Sequence, residues 1–159
     1  MRTHSLVQSS LLYVSVANTT KIDVDVSLFL PFHPGLRGTQ FRTHVSHRPI
    51  TRLPYFWADD VAGAWPDWRW DQNPMDYPGL NIYAFHPIHV ALNSCDGSQY
   101  SAARKALGDR PLWSLSRNEC RMLENQSYGS GSFLRNLVKH FPKDQFASVS
   151  QMAAPGSSP

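Results

Sequence analysis

The chain has 159 residues, 42% of them hydrophobic, with a formal net charge of +3 and a pI near 9.0. That length supports one folded domain with its own core. Basic and acidic residues are interspersed and no run of Lys or Arg exceeds two, which argues against nucleic acid or a lipid surface as partner, and no apolar stretch is long enough to span a bilayer.

The opening MRTHSLVQSS lacks the apolar core and small-residue cleavage site of a secretory signal, so the cytoplasm is the expected location. Apolar residues then recur at Val7, Leu11 and Val14, with Leu12 and Val16 beside them, predicting a helix packed on a core within residues 5–20. Residues 23–30 (DVDVSLFL) alternate and then turn fully apolar, the pattern of a buried strand stopped by Pro31 and Pro34. Residues 50–56 form a weaker strand candidate, because Pro54 cannot donate to a ladder. Residues 63–79 carry three prolines and little periodicity, which predicts a long ordered loop.

Residues 80–85 give the strongest strand signal, and the strand should end at His86 because Pro87 follows. Helices are predicted over residues 98–107, closed by Gly108, and over residues 116–124. Phe133, Leu137 and Phe141 recur every four residues with Leu134 and Val138 on the same face, and Ser132 is the expected cap. Pro142 ends that helix, and the tail over residues 153–159 is expected to be disordered. Cys95 and Cys120 lack metal or redox spacing and read as free thiols.

Six of the seven histidines precede position 90. In FHPIH the strand end lifts His86 to a rim, making it the leading candidate for acid–base chemistry near neutral pH. His89 either shares that side or caps the turn, and both imidazoles could instead bond buried backbone. Asp59 and Asp60 follow an aromatic strand end, where they could hold an arginine or a metal, or cap the next segment. His44-x-x-His47 could reach one metal only from a turn or helix, and the flanking Arg42 and Arg48 oppose a cation. Trp57, Trp65, Trp68 and Trp70 crowd one proline-punctuated segment, which makes either a stacking surface for sugar rings or a seal over the core.

The segments RTHSL, DVSLFLPFHPGLR, RLPYFWADD and PGLNIYAFHPIHVALN, in this order, followed by GSFLRNLVKHF and DQFASVSQMA, resemble the later half of a divergent polysaccharide deacetylase domain of the NodB-homology type. The resemblance implies an α/β fold, the C-terminal portion of a distorted (β/α) barrel incomplete at its N-terminus, over residues 1–152. It implies hydrolysis of the N-acetyl group of an amino sugar in cell-surface glycan metabolism, aided by a divalent metal, zinc as a rule. On that basis His86 matches the histidine acid, Arg2 the arginine that orients the base, and Asp59 or Asp60 its acidic partner. The family's early paired-Asp strand and His-x-x-x-His motif do not occur, so this chain is expected to bind no zinc and to act as an inactive portion of a longer enzyme. The alternative is a non-catalytic carbohydrate-binding module that uses the Trp-rich loop with His89. An incomplete barrel would also expose a sheet edge and favour self-association.

Overall fold

The computed structural model describes residues 1–3, 6–46 and 48–154. His47, and with it the His44-x-x-His47 pairing, lies outside the described residues, as do residues 155–159 of the tail. The fold is α/β, and its contacts divide into two compact units. The first comprises residues 1–57, 76–83 and 146–159, the second residues 58–75 and 84–145. The single domain expected over residues 1–152 thus contains both.

In the first unit, helix α1 (Ser10–Thr19) starts where the Ser9 hydroxyl accepts from the Leu12 N–H, satisfying one orphan donor of the first turn. Its buried residues are Tyr13, Val16 and Ala17, one face of a helix, whereas Val7 and Leu11 are exposed. Of the face expected from Val7, Leu11 and Val14 with Leu12 and Val16 beside them, Val16 is buried and Leu12 packs on the core, while Val7 and Leu11 turn outward. The reason is Asp25: the Tyr13 hydroxyl donates to its Oδ2 at 3.0 Å, and burying that carboxylate requires the tyrosine on the inner face.

Strands β1 (Val24–Asp25), β2 (Thr39–Phe41) and β3 (Ile50–Arg52) form a sheet in the order β1-β3-β2, with β1 parallel and β2 antiparallel to β3. Asp25 lies opposite Arg52 in that register. Beyond the regular strands the parallel course continues: Tyr55 donates to the Leu28 carbonyl, Leu30 to that of Tyr55, and Phe32 to that of Phe56. The two predicted strands therefore do pair, but Pro54 has no N–H and breaks the ladder into pieces. β2 carried no clear sequence signal. Tyr13, Val16, Ala17 and Ile50 form a core cluster with Leu12 and Phe41 against it.

Strand β4 (Trp57–Ala58) pairs with β5 (Tyr83–Ala84), and the boundary between the units falls inside both. The expected strand at 80–85 is thus only two residues long. Between them come helix α2 (Asp59–Ala64) and the irregular segment expected from its prolines.

The second unit is helical: α2, α3 (Pro87–Ala91), α4 (Ser98–Leu107), α5 (Arg117–Leu123) and α6 (Ser130–His140). α4 buries Ala103 and Leu107 and ends at Gly108, whose φ of 59° suits a residue without Cβ. α5 opens with a capping box in which Ser116 and Glu119 exchange side-chain and backbone hydrogen bonds. α6 packs on α3 and buries Phe133 and Leu137, as the four-residue spacing predicts. Two details differ. Val138 is exposed, and the cap position belongs to Gly129, with Ser132 in the first turn bonding back to the Gly129 N–H.

Helix α7 (Val149–Met152) closes the first unit's last segment, and the N–H groups of Ala153 and Ala154 bond to the Val149 and Gln151 carbonyls. Order therefore reaches two residues into the tail expected to be disordered. Among the described residues no helix is long and apolar enough to cross a membrane.

Candidate functional site

The second unit gathers Asp59, Asp60, His86 and His89. Asp59 and Asp60 occupy the first turn of α2, where a carboxylate meets the positive end of the helix. His86 stands at the N-cap of α3 with an extended backbone, because Pro87 fills the first helical position and bars helical geometry to the residue before it. Its side chain does not cap α3. It turns instead to Asp59.

Nδ1 of His86 lies 2.6 Å from Oδ1 of Asp59, and the His86 backbone N–H donates to Oδ2 of the same carboxylate at 3.0 Å. The Ser130 hydroxyl donates to that Oδ2 as well, at 2.8 Å. The Asp59 side chain is fully buried and that of His86 is 36% exposed. Since a carboxylate offers only acceptors at neutral pH, the 2.6 Å contact places the proton on Nδ1 and leaves Nε2 as the nitrogen for chemistry. Asp59 thus fixes tautomer, ring plane and backbone of His86 together.

Ser130 carried no recognisable signal in the sequence. It reaches Asp59 because α6 starts against the turn that follows α3. The Asn93 side chain donates to the carbonyls of Asn125 and Ser127 and accepts from the Ser132 N–H. A Cβ on Gly129 would fall 2.0 Å from the Asn93 carbonyl oxygen, and one on Gly131 would fall 2.6 Å from that of Val90. Only glycine permits this approach. The glycines on either side of Ser130 are what bring it to the carboxylate.

Oxygens of Asp59 and Asp60 and a nitrogen of His86 are close enough to be considered as a metal site. Their geometry does not fit zinc. Two ligands of a tetrahedral ion with bonds near 2.0 Å sit about 3.3 Å apart, whereas Nδ1 and Oδ1 are at 2.6 Å and share a hydrogen bond. Both Asp59 oxygens accept protein donors, and Asp60 Oδ1, 3.9 Å from Nδ1, accepts the Val61 N–H.

Beside the pair lies a cavity of about 200 Å³ lined by Asp59, Asp60, His89, Ser94, Asp96 and Tyr100, with Gly63 and Gly97. His89 sits in the last turn of α3, its ring centroid 5.7 Å from that of His86 and 5.9 Å from that of Tyr100. A larger cavity of about 420 Å³ lies in the first unit among Tyr13, Phe41, Arg42, His44 and Arg52, and holds none of the acid–base or sugar-binding candidates.

Arg2 belongs to the first unit, where its guanidinium donates to the Tyr55 hydroxyl at 3.3 Å and stands 4.9 Å from the centre of that ring. Trp57 is 1% exposed and packs on Tyr83, so burial leaves it no face for a sugar. Trp68 and Trp70 pack edge-on against Phe133, the fully buried ring of α6, and the Trp70 indole N–H donates to the Cys95 carbonyl. Of the four, only Trp65 is classed as exposed. Trp57 is core material of the first unit, and the half-buried Trp68 and Trp70 give Phe133 apolar cover that the short helices cannot supply.

The model of the WbmS-like family, described as polysaccharide deacetylase, matches residues 1–104. A crystal structure from Bordetella bronchiseptica, described as that of a candidate polysaccharide deacetylase involved in O-antigen biosynthesis, is 29% identical, with a TM-score of 0.69 over 87% of this chain and 54% of its own. The chain therefore spans about half the length of that protein. Among curated proteins none matches.

Proposed function

The chain belongs to the WbmS-like polysaccharide deacetylases, and from that premise we propose that His86, held by Asp59, is the acid–base residue for hydrolysing the N-acetyl group of an amino sugar in cell-surface glycan biosynthesis. The observation that carries this reading is the 2.6 Å contact between Nδ1 and a wholly buried carboxylate. Amide hydrolysis adds water oxygen to the carbonyl carbon and a proton to the departing nitrogen. Nε2 of His86 takes up the proton that the attacking water loses and passes it to the nitrogen as the C–N bond breaks, and Asp59 faces the imidazolium and holds the ring in place. Ser130 and the His86 N–H keep the carboxylate from turning away. Asp60, more exposed and farther from the ring, shapes the approach to the pair rather than orienting it. We read the parallel course of β1 and β3 as part of the distorted (β/α) barrel that the family resemblance implies.

Acetate release from N-acetylglucosamine oligomers, with added divalent metal so that its supply is not limiting, tests the reading. His86→Ala should lower the rate about a hundredfold or more while circular dichroism stays unchanged. Equal rates for the two proteins would remove His86 from the reaction.

A further inference from the structure

We infer that the larger cavity of the first unit is a phosphate-binding site, in which Arg42 and Arg52 receive inorganic phosphate or the phosphate group of a small ester. The site is separate from the acid–base pair and independent of its chemistry, since every residue that lines it lies in the first unit.

Charge points to an anion. Arg42, His44 and Arg52 line the cavity, and among the described residues no Asp or Glu does. The buried Asp25 offsets the charge of Arg52, but Arg42 has no ion-pair partner among the described residues. An uncompensated positive charge therefore stands in a concave wall, where it attracts anions most strongly.

Arg52 is set in place before any ligand arrives. Its Nε–H donates to Oδ2 of Asp25 at 2.9 Å, and its guanidinium carbon stands 4.9 Å from the centre of the Tyr13 ring and 4.7 Å from that of Phe41. These contacts fix the plane of the guanidinium and leave terminal N–H groups for a second acceptor. The side chain keeps 20% of its surface exposed, so a ligand can reach it. A fork held in this way loses little freedom when an oxyanion binds.

Size and lining favour phosphate. At about 420 Å³ the space falls within the range of small-ligand pockets. A carboxylate offers two oxygens to one fork, whereas a phosphate group has oxygens enough to meet Arg42, Arg52 and His44 together. Tyr13 and Phe41 stand edge-on to each other at 5.1 Å and already lie under Arg52, which leaves little ring face to stack a nucleobase. Gln8, Ser9 and Ser10 supply neutral polar wall, and the opening of α1 at Ser9 and Ser10 adds its positive end to the field of the arginines.

Amide NMR titrations of the whole chain with inorganic phosphate, glycerol 3-phosphate and acetate test the site, read at residues 8–14, 41–44 and 52. At about pH 8, where phosphate carries close to two charges, both phosphates should shift these signals. Acetate, with one charge fewer at close range, should bind at least about fivefold more weakly. Tighter binding of glycerol 3-phosphate than of inorganic phosphate would make a small ester the occupant, and equal binding would make it phosphate itself; either result supports the site. Arg42→Gln, which changes an exposed side chain with no counter-charge to strand, should weaken phosphate about fivefold. Lys21→Gln removes the same charge from the first unit outside this cavity and should leave the affinity within about twofold. No shift with either phosphate, acetate binding as tightly as phosphate, or equal losses in the two variants would each overturn the site.

Discussion

Asp25 in the first unit and Asp59 in the second are two buried carboxylates built on one plan and put to different ends. Each accepts from a backbone N–H, from a hydroxyl and from a cationic or protonatable side chain: Ser27, Tyr13 and Arg52 around Asp25, and His86 N–H, Ser130 and the His86 ring around Asp59. Burial makes such saturation obligatory, since a lone carboxylate in the interior would be prohibitively costly. The third partner decides the role. Arg52 keeps its charge at any physiological pH and lies over the Tyr13 and Phe41 rings, at 4.9 and 4.7 Å, so the pair is a fixed brace between strands. His86 can take up and give back a proton at Nε2, so the same plan yields a reactive group.

Breaking each carboxylate should separate these roles. The largest effect is expected for Asp59→Asn, which presents an amide donor to Nδ1–H and favours the wrong tautomer; acetate release should fall about a hundredfold, as far as when His86 itself is removed. Imidazole ¹⁵N shifts should show the proton leaving Nδ1 in the variant, and an Nδ1–H signal that persists would refute the orienting role. Asp25→Ala comes next and acts on stability, leaving Arg52 with no counter-charge: urea unfolding should show a loss of about 3–5 kcal/mol. A loss below about 1 kcal/mol would mean the brace is dispensable.

Gly129→Ala sharpens the comparison from the packing side, because its Cβ would collide with the Asn93 backbone and push Ser130 from Asp59. A loss of about 1–3 kcal/mol is expected, with a fall in rate that Gly38→Ala, whose added Cβ meets a flexible Leu53 side chain, should not share. The smallest effect concerns Glu119, a half-buried carboxylate that Arg110 and the Ser116 cap draw down from 4.5 to about 2. Its folded value is depressed, so its contribution is complete above about pH 4.5 and fades as pH falls to about 2. Wild type and Glu119→Gln should therefore differ slightly in thermal midpoint at pH 6 and converge near pH 2. A difference that grew with acidity would contradict this sign.

Much of the second unit was legible along the chain. Gly108, the Ser116 and Glu119 pair, and Pro142 mark helix ends through contacts within four residues, and His86 before Pro87 was legible as a strand end. Asp59, Asp60 and His86 stood out as residue types at element ends, and the fold brings them together. What escaped was set by partners far along the chain. The face of α1 followed Asp25, twelve residues from Tyr13; Ser130 meets a carboxylate 71 residues earlier; Trp57 went into the core, and Trp68 and Trp70 packed on Phe133.

The order of residues by itself determined the helices with local caps, the family, and which side chains could carry acid–base chemistry, because these depend on chemical type and short-range spacing. Tertiary structure alone decided that Asp59 would grip His86, that Ser94 would be left with an unanswered hydroxyl, and that Trp57 would be buried while Trp68 and Trp70 packed on Phe133. Those outcomes turn on which buried polar groups must find donors and which apolar surfaces must find cover, and only the folded chain brings the two sides of each pairing into reach.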